Sequence, residues 1–305
     1  AINRFHNRSP IIPLTPVLQI YRAKAQSAAL YGTEIWGYSN LSPLTRRENQ
    51  FFRAICRLPR YCPLIPLFMD LAFKQTCHLA NLRPLLYWAK IWYTEELAPY
   101  RAALSDLLFY DQFAKTPWLK HVTFWYKTLS LDDFWSNPSS MTTGAKKIIS
   151  EAYWNHIAQT TSSNPGSGNL TTKFLTHKQE RKFELYLDQI EPRIAKSLFM
   201  KFRFGILALK SFTGNWHPSN SQPSTLCDLC TLGQVENCLH ILFFCPAYSN
   251  PRQRWIKPLC NNLGFRSCSW ALRVLSCDTN TVIVFAMSRF LHAVWIIRNK
   301  HSLPM

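Results

Sequence analysis

The feature that most restricts the fold is a set of four metal-binding residue types, spaced as C-x2-C-x9-H-x4-C between residues 227 and 245. Two thiols separated by two residues fit on one tight turn, and a histidine and a third cysteine can then complete a tetrahedron. Such a set is typical of a structural zinc site that keeps no open coordination position. The spacing therefore predicts zinc bound by Cys227, Cys230, His240 and Cys245.

Two alternatives remain open from the residues alone. Cysteine is often a small buried hydrophobe, so the same spacing also fits free core cysteines around a core histidine. Cys238 lies two residues before His240 and is another candidate ligand. We favour His240, because a ligand at Cys238 would leave the imidazole idle in a buried turn. Gly233 marks a chain reversal inside the loop, and Pro246 suits the end of a short helix.

Composition limits the class of protein. The chain has 305 residues, 47% of them hydrophobic and 14% aromatic, which is enough for two compact domains with real cores. Only 9 residues are glycine, which argues against an α/β fold with many phosphate-binding loops. The remaining cysteines show no pairing framework and no signal peptide is evident, so we expect a reducing intracellular compartment. Because the chain begins at Ala1 rather than Met, we expect a piece of a longer product.

The net charge of +18 is concentrated toward the two ends of the chain. Residues 1–69 and 237–305 each carry +7, whereas residues 70–172 carry +1. Basic surfaces of this density attract polyanions, and RNA or DNA is the usual one. For any single residue, a solvated helix face is the alternative. The candidate nucleic-acid contacts are Arg46, Arg47, Arg53, Arg193, Lys196, Lys201, Arg203, Lys210, Arg252 and Arg254.

Apolar residues recur at helical spacing through most of the chain, which predicts a mainly α protein. The expected helices cover residues 17–34, 44–56, 67–97 with a break or kink near Pro84, 145–158, 173–187, 193–212 and 282–298. Arg289 and His292 interrupt the last stretch, which is also short for a membrane span, so we expect a packed terminal helix. Asp132 and Asp133 lack a third carboxylate for catalytic magnesium, and acidic residues favour a helix start.

Residues 160–169 are polar and contain proline and glycine, which is typical of a linker. We therefore predict two helical domains, the second carrying a small CCHC zinc knuckle. The expected boundaries are a helical region at 1–158, a linker at 159–170, basic helices plus the zinc-binding segment at 171–275, and a C-terminal helix at 276–305.

Together these residues carry a family resemblance. The segment from Cys227 to Arg252, with Glu236 and the run Cys245-Pro246-Ala247-Tyr248, resembles the zinc-binding segment of non-LTR (LINE-type) retrotransposon reverse transcriptases. Residues 201–205 resemble the basic lead-in to that segment, and residues 29–37 and 51–59 resemble the region that follows the polymerase palm and thumb. The similarity covers nearly the whole chain, which looks like the C-terminal third of such a polyprotein.

The resemblance implies that the chain binds the element's RNA and its target DNA and positions them for the upstream reverse transcriptase domain of the same polyprotein. It implies an intracellular, nuclear location and no membrane. The family's catalytic aspartates have no counterpart, since Ser130-Leu131-Asp132-Asp133 lacks the aromatic residue and lies downstream of the residues that resemble the region after the palm. We therefore expect no enzyme activity from this chain alone. The alternative function is a protein-interaction module, or a decayed inactive relic with a purely structural zinc site.

Overall fold

In a computed structural model, the residues described are 13–114, 116–136, 144–163, 182–209, 225–263 and 280–302. Within these ranges the protein is mainly α-helical, as predicted, and extended pairing is limited to an isolated antiparallel bridge between Leu226 and Val235. The longer helices are α1 (Ser42–Ile55), α2 (Thr76–Tyr93), α3 (Ala98–Ala114), α4 (Pro117–Thr128), α5 (Ala145–Ser163), α6 (Arg193–Arg203) and α7 (Thr281–Ser302).

Shorter helical segments connect these helices. In the first half of the chain they are Leu14–Ile20, Tyr21–Gln26, Ser27–Ala29, Thr33–Trp36, Leu64–Asp70, Glu95–Leu97 and Asp132–Ser136. In the second half they are Tyr186–Gln189, His240–Phe244, Pro246–Tyr248, Ser249–Pro251, Arg252–Ile256 and Lys257–Leu263. Asp132 and Asp133 occupy the first turn of their segment, the position at which acidic residues favour a helix start.

Packing divides the chain into two compact units. Unit 1 comprises Ala1–Val17, Gln50–Phe73 and Ser167–Met305, and unit 2 comprises Leu18–Asn49 and Lys74–Gly166. The predicted boundaries were consecutive in sequence, whereas these units are assembled from separate stretches. Residues 164–170 of the predicted linker, and Lys210, lie outside the described residues.

Unit 2 is organised around α2, which contacts Thr33–Trp36, α3, α4 and α5. Apolar residues at helical spacing on α2 pack inward, since Leu85 and Trp88 are fully buried and Ile91 nearly so. The buried core residues of this unit are Leu82, Leu85, Trp88, Ala89, Ile91, Leu104, Leu119, Val122, Tyr126, Ala145, Ile149, Tyr153 and Ile157. Apolar side chains from four helices therefore hold unit 2 together.

A buried carboxyl group, Glu48 of α1, lies at the start of α2. Glu48 accepts hydrogen bonds from the Thr76 backbone N–H at 3.0 Å, from the Thr76 hydroxyl, and from the Tyr21 hydroxyl at 3.2 Å. The first N–H groups of a helix lack partners within the helix, and a carboxylate also suits the positive end of its dipole. Glu48 thus caps α2 from a distant part of the sequence.

Of the break or kink predicted near Pro84, the break was wrong. Pro84 lies inside α2, and the chain leaves its helix earlier, between Leu64–Asp70 and Thr76. Ala72 there has a φ of +46°, in the left-handed region that interrupts a helix. The apolar periodicity did not predict the end of the helix here, because apolar residues continue through the turn and are buried on both sides of it.

Unit 1 packs α6 against α7. Residues buried on α6 include Phe199, Met200 and Phe202, and those on α7 include Met287 and Phe290. The helix predicted for 193–212 ends at Arg203, because Gly205 adopts a φ of +69°. The Ile206 N–H then bonds to the Lys201 carbonyl at 2.8 Å and the Gly205 N–H to the Phe202 carbonyl at 3.0 Å, a glycine-dependent helix ending.

Two other helix predictions need adjustment within the described residues. The helix expected at 173–187 is absent over residues 182–185 and appears only as Tyr186–Gln189. Helix α5 continues to Ser163, past the predicted end at 158. The window Thr281–Lys300 of α7 is long and apolar enough to cross a membrane by length and composition, and 44% of it is buried inside the protein. A core helix passes the same test.

Candidate metal centre

A small hairpin positions the first two cysteines. We call residues 225–245 the metal loop. The Cys227 N–H donates to the Gln234 carbonyl at 3.0 Å, and the Glu236 N–H donates to the Thr225 carbonyl at 2.9 Å, on either side of the Leu226–Val235 bridge. Gly233 has a φ of +61°, which confirms the chain reversal expected there, and this left-handed backbone favours glycine. The hairpin brings Cys227 and Cys230 onto one turn.

A short helical segment positions the second pair. The Asn237 side-chain oxygen accepts a hydrogen bond from the His240 N–H at 2.9 Å and so caps the helical turn that begins at Cys238 and leads into His240–Phe244. The Cys245 N–H donates to the His240 carbonyl at 2.7 Å, which holds these two residues one turn apart. Pro246 then opens the next turn, Pro246–Tyr248, where its missing N–H is no loss.

The four side chains converge. The ligand atoms of Cys227, Cys230, His240 and Cys245 all lie within 4.8 Å of one another. The Cys227 and Cys245 sulfurs are 3.8 Å apart, and the Cys230 sulfur is 3.4 Å from His240 Nε2. Bond lengths of about 2.3 Å to sulfur and about 2.0 Å to nitrogen give tetrahedral edges of about 3.8 Å and about 3.5 Å. The group can therefore hold a metal ion.

The imidazole of His240 is oriented for ligation through Nε2. Its Nδ1 lies 2.9 Å from Gln234 Oε1, and because an amide oxygen only accepts hydrogen bonds, the proton belongs on Nδ1. The lone pair of Nε2 then faces the Cys230 sulfur. A hydrogen-bond acceptor behind the metal-binding histidine is the usual arrangement in metal sites. The sequence did not point to Gln234, since the only signal was a polar side chain beside Gly233.

Burial governs protonation in the cluster. Burial raises the pKa of the Cys245 thiol to about 12 and raises that of Cys227, and it lowers the pKa of His240. These residues are therefore uncharged near neutral pH until an ion displaces the thiol protons. Cys238, the alternative ligand, lies outside the converging group, and burial raises its pKa to about 12.

The residues predicted to contact nucleic acid differ widely in exposure. Arg46, Arg47 and Arg254 are exposed, and Arg193 and Lys201 are half-buried. Burial lowers the pKa of both half-buried residues, and the charge of Arg57 lowers that of Arg193 further. Lys196, by contrast, is only 6% exposed, and burial lowers its pKa as well.

Three of the predicted contact arginines, Arg53, Arg203 and Arg252, are engaged within unit 1. Arg203 is buried and donates from Nε to Asp70 Oδ2 at 2.9 Å, and the Tyr186 hydroxyl donates to the same oxygen at 2.6 Å. Arg53 donates to the Cys62 carbonyl at 2.7 Å. The helical spacing suggested that Arg203 lies on a basic face of the helix. Its guanidinium instead forms a buried ion pair with Asp70 and does not reach solvent.

Arg252 ties the metal loop to the segment that follows it. Its guanidinium donates to the Leu242 carbonyl at 2.8 Å, to the Cys245 carbonyl at 2.6 Å and to the Ile241 carbonyl at 3.3 Å. These are end-of-helix carbonyls that otherwise lack donors. A second arginine, Arg298 of α7, pairs with Glu236 of the metal loop. Arg252–Ile256 and α7 are thus each anchored to the metal loop by an arginine.

Comparison of the chain with protein-family models, with curated proteins and with solved structures finds no match. The candidate metal centre and the basic residues around it therefore provide the grounds for a functional proposal.

Proposed function

We propose that this chain is a zinc-stabilised, nucleic-acid-binding unit of a non-LTR retrotransposon reverse transcriptase, which positions RNA template and target DNA for a separate polymerase domain. The observation that carries the proposal is the convergence of Cys227, Cys230, His240 and Cys245 at tetrahedral spacing. Three thiolates and one imidazole form a donor set that selects zinc over the harder, oxygen-preferring ions. These ligands, in this order, are one part of the family resemblance.

The role of the ion is structural. The four protein ligands fill a tetrahedron, so no position remains for a reacting water. The ion would fix the hairpin to the His240–Phe244 segment, and the two anchoring arginines would extend that rigidity to Arg252–Ile256 and α7. Nucleic-acid binding by the chain is then expected to require zinc, because the ion is needed for the metal loop to fold.

Charge supports a polyanionic partner. Residues 249–263 and 281–302 contain Arg252, Arg254, Lys257, Arg289, Arg298 and Lys300 and no acidic residue. Two of these six, Arg252 and Arg298, serve the metal loop, and the others add positive charge to the two segments beside it. Phosphate contacts from arginine and lysine supply affinity that falls with salt.

Metal content tests the central site. The purified chain is expected to contain about one zinc per molecule, and Cys230→Ser is expected to lose it, because the thiolate supplies one corner of the tetrahedron. Cys238→Ala is the matched control, since Cys238 is a neighbouring cysteine outside the cluster. Elemental analysis after exhaustive dialysis makes the measurement. Retention of the zinc by Cys230→Ser would contradict the assigned ligand set.

Filter binding to RNA and to duplex DNA over a salt series tests the partner. With about five phosphate contacts, the logarithm of the binding constant is expected to fall against the logarithm of salt with a slope of about −4.5 for duplex DNA. The engagement of Arg53, Arg203 and Arg252 within the protein favours the alternative, a protein-interaction module with a purely structural metal site. Weak binding that hardly responds to salt would support that alternative.

A further inference from the structure

Four side chains beside the metal loop form a mixed ladder of cations and aromatic rings, which we define as Arg254, Trp255, Phe285 and Arg289. The Arg254 guanidinium lies 5.3 Å from the Trp255 ring centre. The Trp255 and Phe285 rings meet edge to face at 6.0 Å and 79°. The Arg289 guanidinium lies 5.1 Å from the Phe285 ring centre. The ladder therefore alternates cation, ring, ring and cation across two elements.

The ladder reaches solvent at Phe285 and Arg254, whereas Trp255 and Arg289 are half-buried. Phe285 is 50% exposed, the neighbouring Val282 is 65% exposed, and Arg254 is exposed. An exposed phenylalanine usually indicates a surface that binds something when it belongs to a larger patch. Here the patch is positively charged, because neither residues 249–263 nor residues 281–302 include an acid.

The segments that carry the ladder are held in place by contacts other than those of the ladder itself. Arg252–Ile256 packs on α7, and Ile256 is buried. Arg252 fixes the first segment to the metal loop, and Arg298 fixes α7 to the same loop through Glu236. The rings are thus preorganised, which lowers the entropic cost of binding a ligand.

We propose that the ladder binds unpaired nucleotides of a single-stranded RNA or DNA segment, with bases stacked on its rings and guanidinium planes and phosphates neutralised by Arg254 and Arg289. This inference rests on the proposed function and narrows its substrate to single strands. Base faces are hidden within a duplex, whereas single strands expose them to aromatic and arginine side chains. Planar guanidinium groups stack on bases and contact phosphates.

An anionic membrane surface is the competing partner for a basic, aromatic helix face. The structure favours nucleic acid because the apolar side of α7 is already occupied. Ile283, Val284, Met287, Phe290 and Leu291 are buried within the protein, so they are not available to enter a bilayer. The ladder also extends onto a second segment, Arg252–Ile256, which is not part of the α7 surface that would lie on a membrane.

Fluorescence anisotropy with a labelled 20-nucleotide oligouridine and a blunt RNA duplex of the same length tests the inference on the full zinc-loaded chain. Phe285→Ala is expected to weaken single-strand binding by about tenfold, the effect of losing one stacked base. Its effect on the duplex is expected to stay below about twofold. Phe285→Tyr, which keeps a ring, is expected to bind the single strand like the unmodified chain.

Phe124→Ala is the matched control. Phe124 is 60% exposed and also lies edge to face with a tryptophan, Trp125, at 5.6 Å, but it belongs to unit 2. The salt dependence separates stacking from charge. Phe285→Ala is expected to leave the salt slope unchanged, and Arg289→Gln is expected to flatten the single-strand slope by about 0.7.

The outcomes distinguish the ladder from the proposed function. If the unmodified chain binds neither the single strand nor the duplex, the proposed function fails and the ladder fails with it. If the unmodified chain binds but Phe285→Ala and Phe124→Ala show equal affinity, only the ladder is overturned. Sedimentation with phosphatidylserine vesicles that depends on Phe285, without single-strand binding that depends on it, would overturn the ladder in favour of a membrane.

Discussion

Unit 2 and the metal loop differ in what holds their helical segments in place. In unit 2, four helices bury a continuous set of large apolar side chains that includes Trp88, Tyr126 and Tyr153. In the metal loop, Leu226, Leu232 and Val235 are exposed. The loop buries Ile241 and Leu242, its four candidate ligands converge, and two arginines anchor it. The chain therefore stabilises unit 2 by buried apolar area, and it holds the metal loop by hydrogen bonds, an ion pair and, in our proposal, a metal ion.

The largest expected effect is the removal of the metal. Structural zinc supplies about 10–16 kcal/mol of folding free energy in small zinc-finger peptides, and a whole domain is stable by only about 5–15 kcal/mol. A strong chelator should therefore abolish amide-exchange protection in residues 225–263 while protection in α2 and α5 persists. Hydrogen exchange read by mass spectrometry, with Cys238→Ala as control, makes the measurement. Equal loss of protection in α2 would remove the contrast between the regions.

A cavity in the apolar core is expected to have the next largest effect, in the opposite region. Trp88 is fully buried, so Trp88→Ala should lower the free energy of unfolding of unit 2 by about 3–5 kcal/mol. The zinc content should remain about one per molecule, because the ligands belong to unit 1. Denaturant unfolding followed by circular dichroism, together with metal analysis, checks both parts. A variant that loses its zinc would show that the metal loop depends on the core of unit 2.

The smallest expected effect concerns Glu48, a buried carboxyl group of unit 2. Burial raises the pKa of Glu48, and hydrogen bonds from Thr76 and Tyr21 offset part of that rise. As pH rises above about 4.3, Glu48 therefore ionises first in the unfolded chain, so its contribution to stability falls until the folded group has also ionised. The stability difference between the unmodified chain and Glu48→Gln should then decrease with rising pH and level off. Urea unfolding at several pH values measures this stability difference. A difference that grows with pH would show that folding lowers the pKa of Glu48 instead of raising it.

How far the sequence could predict the site is seen in the metal loop. All four converging ligands come from one stretch of 19 residues, counted from Cys227 to Cys245, so their spacing was informative. His240 was preferred over Cys238 because a ligand at Cys238 would have left the imidazole idle in a buried turn, and the converging group includes His240. Gln234 and Asn237 escaped notice, because their roles depend on hydrogen-bond geometry that spacing does not express.

The basic residues show the opposite case. Arg203 and Arg254 are the same residue type in basic stretches, yet one is buried against Asp70 and the other is exposed beside Trp255. The two partners of the buried pair are 133 residues apart in the chain, so no local pattern could join them. The predicted nucleic-acid contacts therefore remain a prediction, to be tested first at the residues that reach solvent.

The helical class, many helix positions and the four candidate metal-binding residues can be inferred from the sequence, because apolar periodicity and ligand spacing act over a few residues. Which arginines are anchors and which face solvent, how Glu48 caps α2, and that Trp255 meets Phe285 became visible only in the folded protein. The physical reason is that burial and hydrogen-bond partnership belong to pairs of residues brought together by folding, whereas periodicity and spacing belong to the chain.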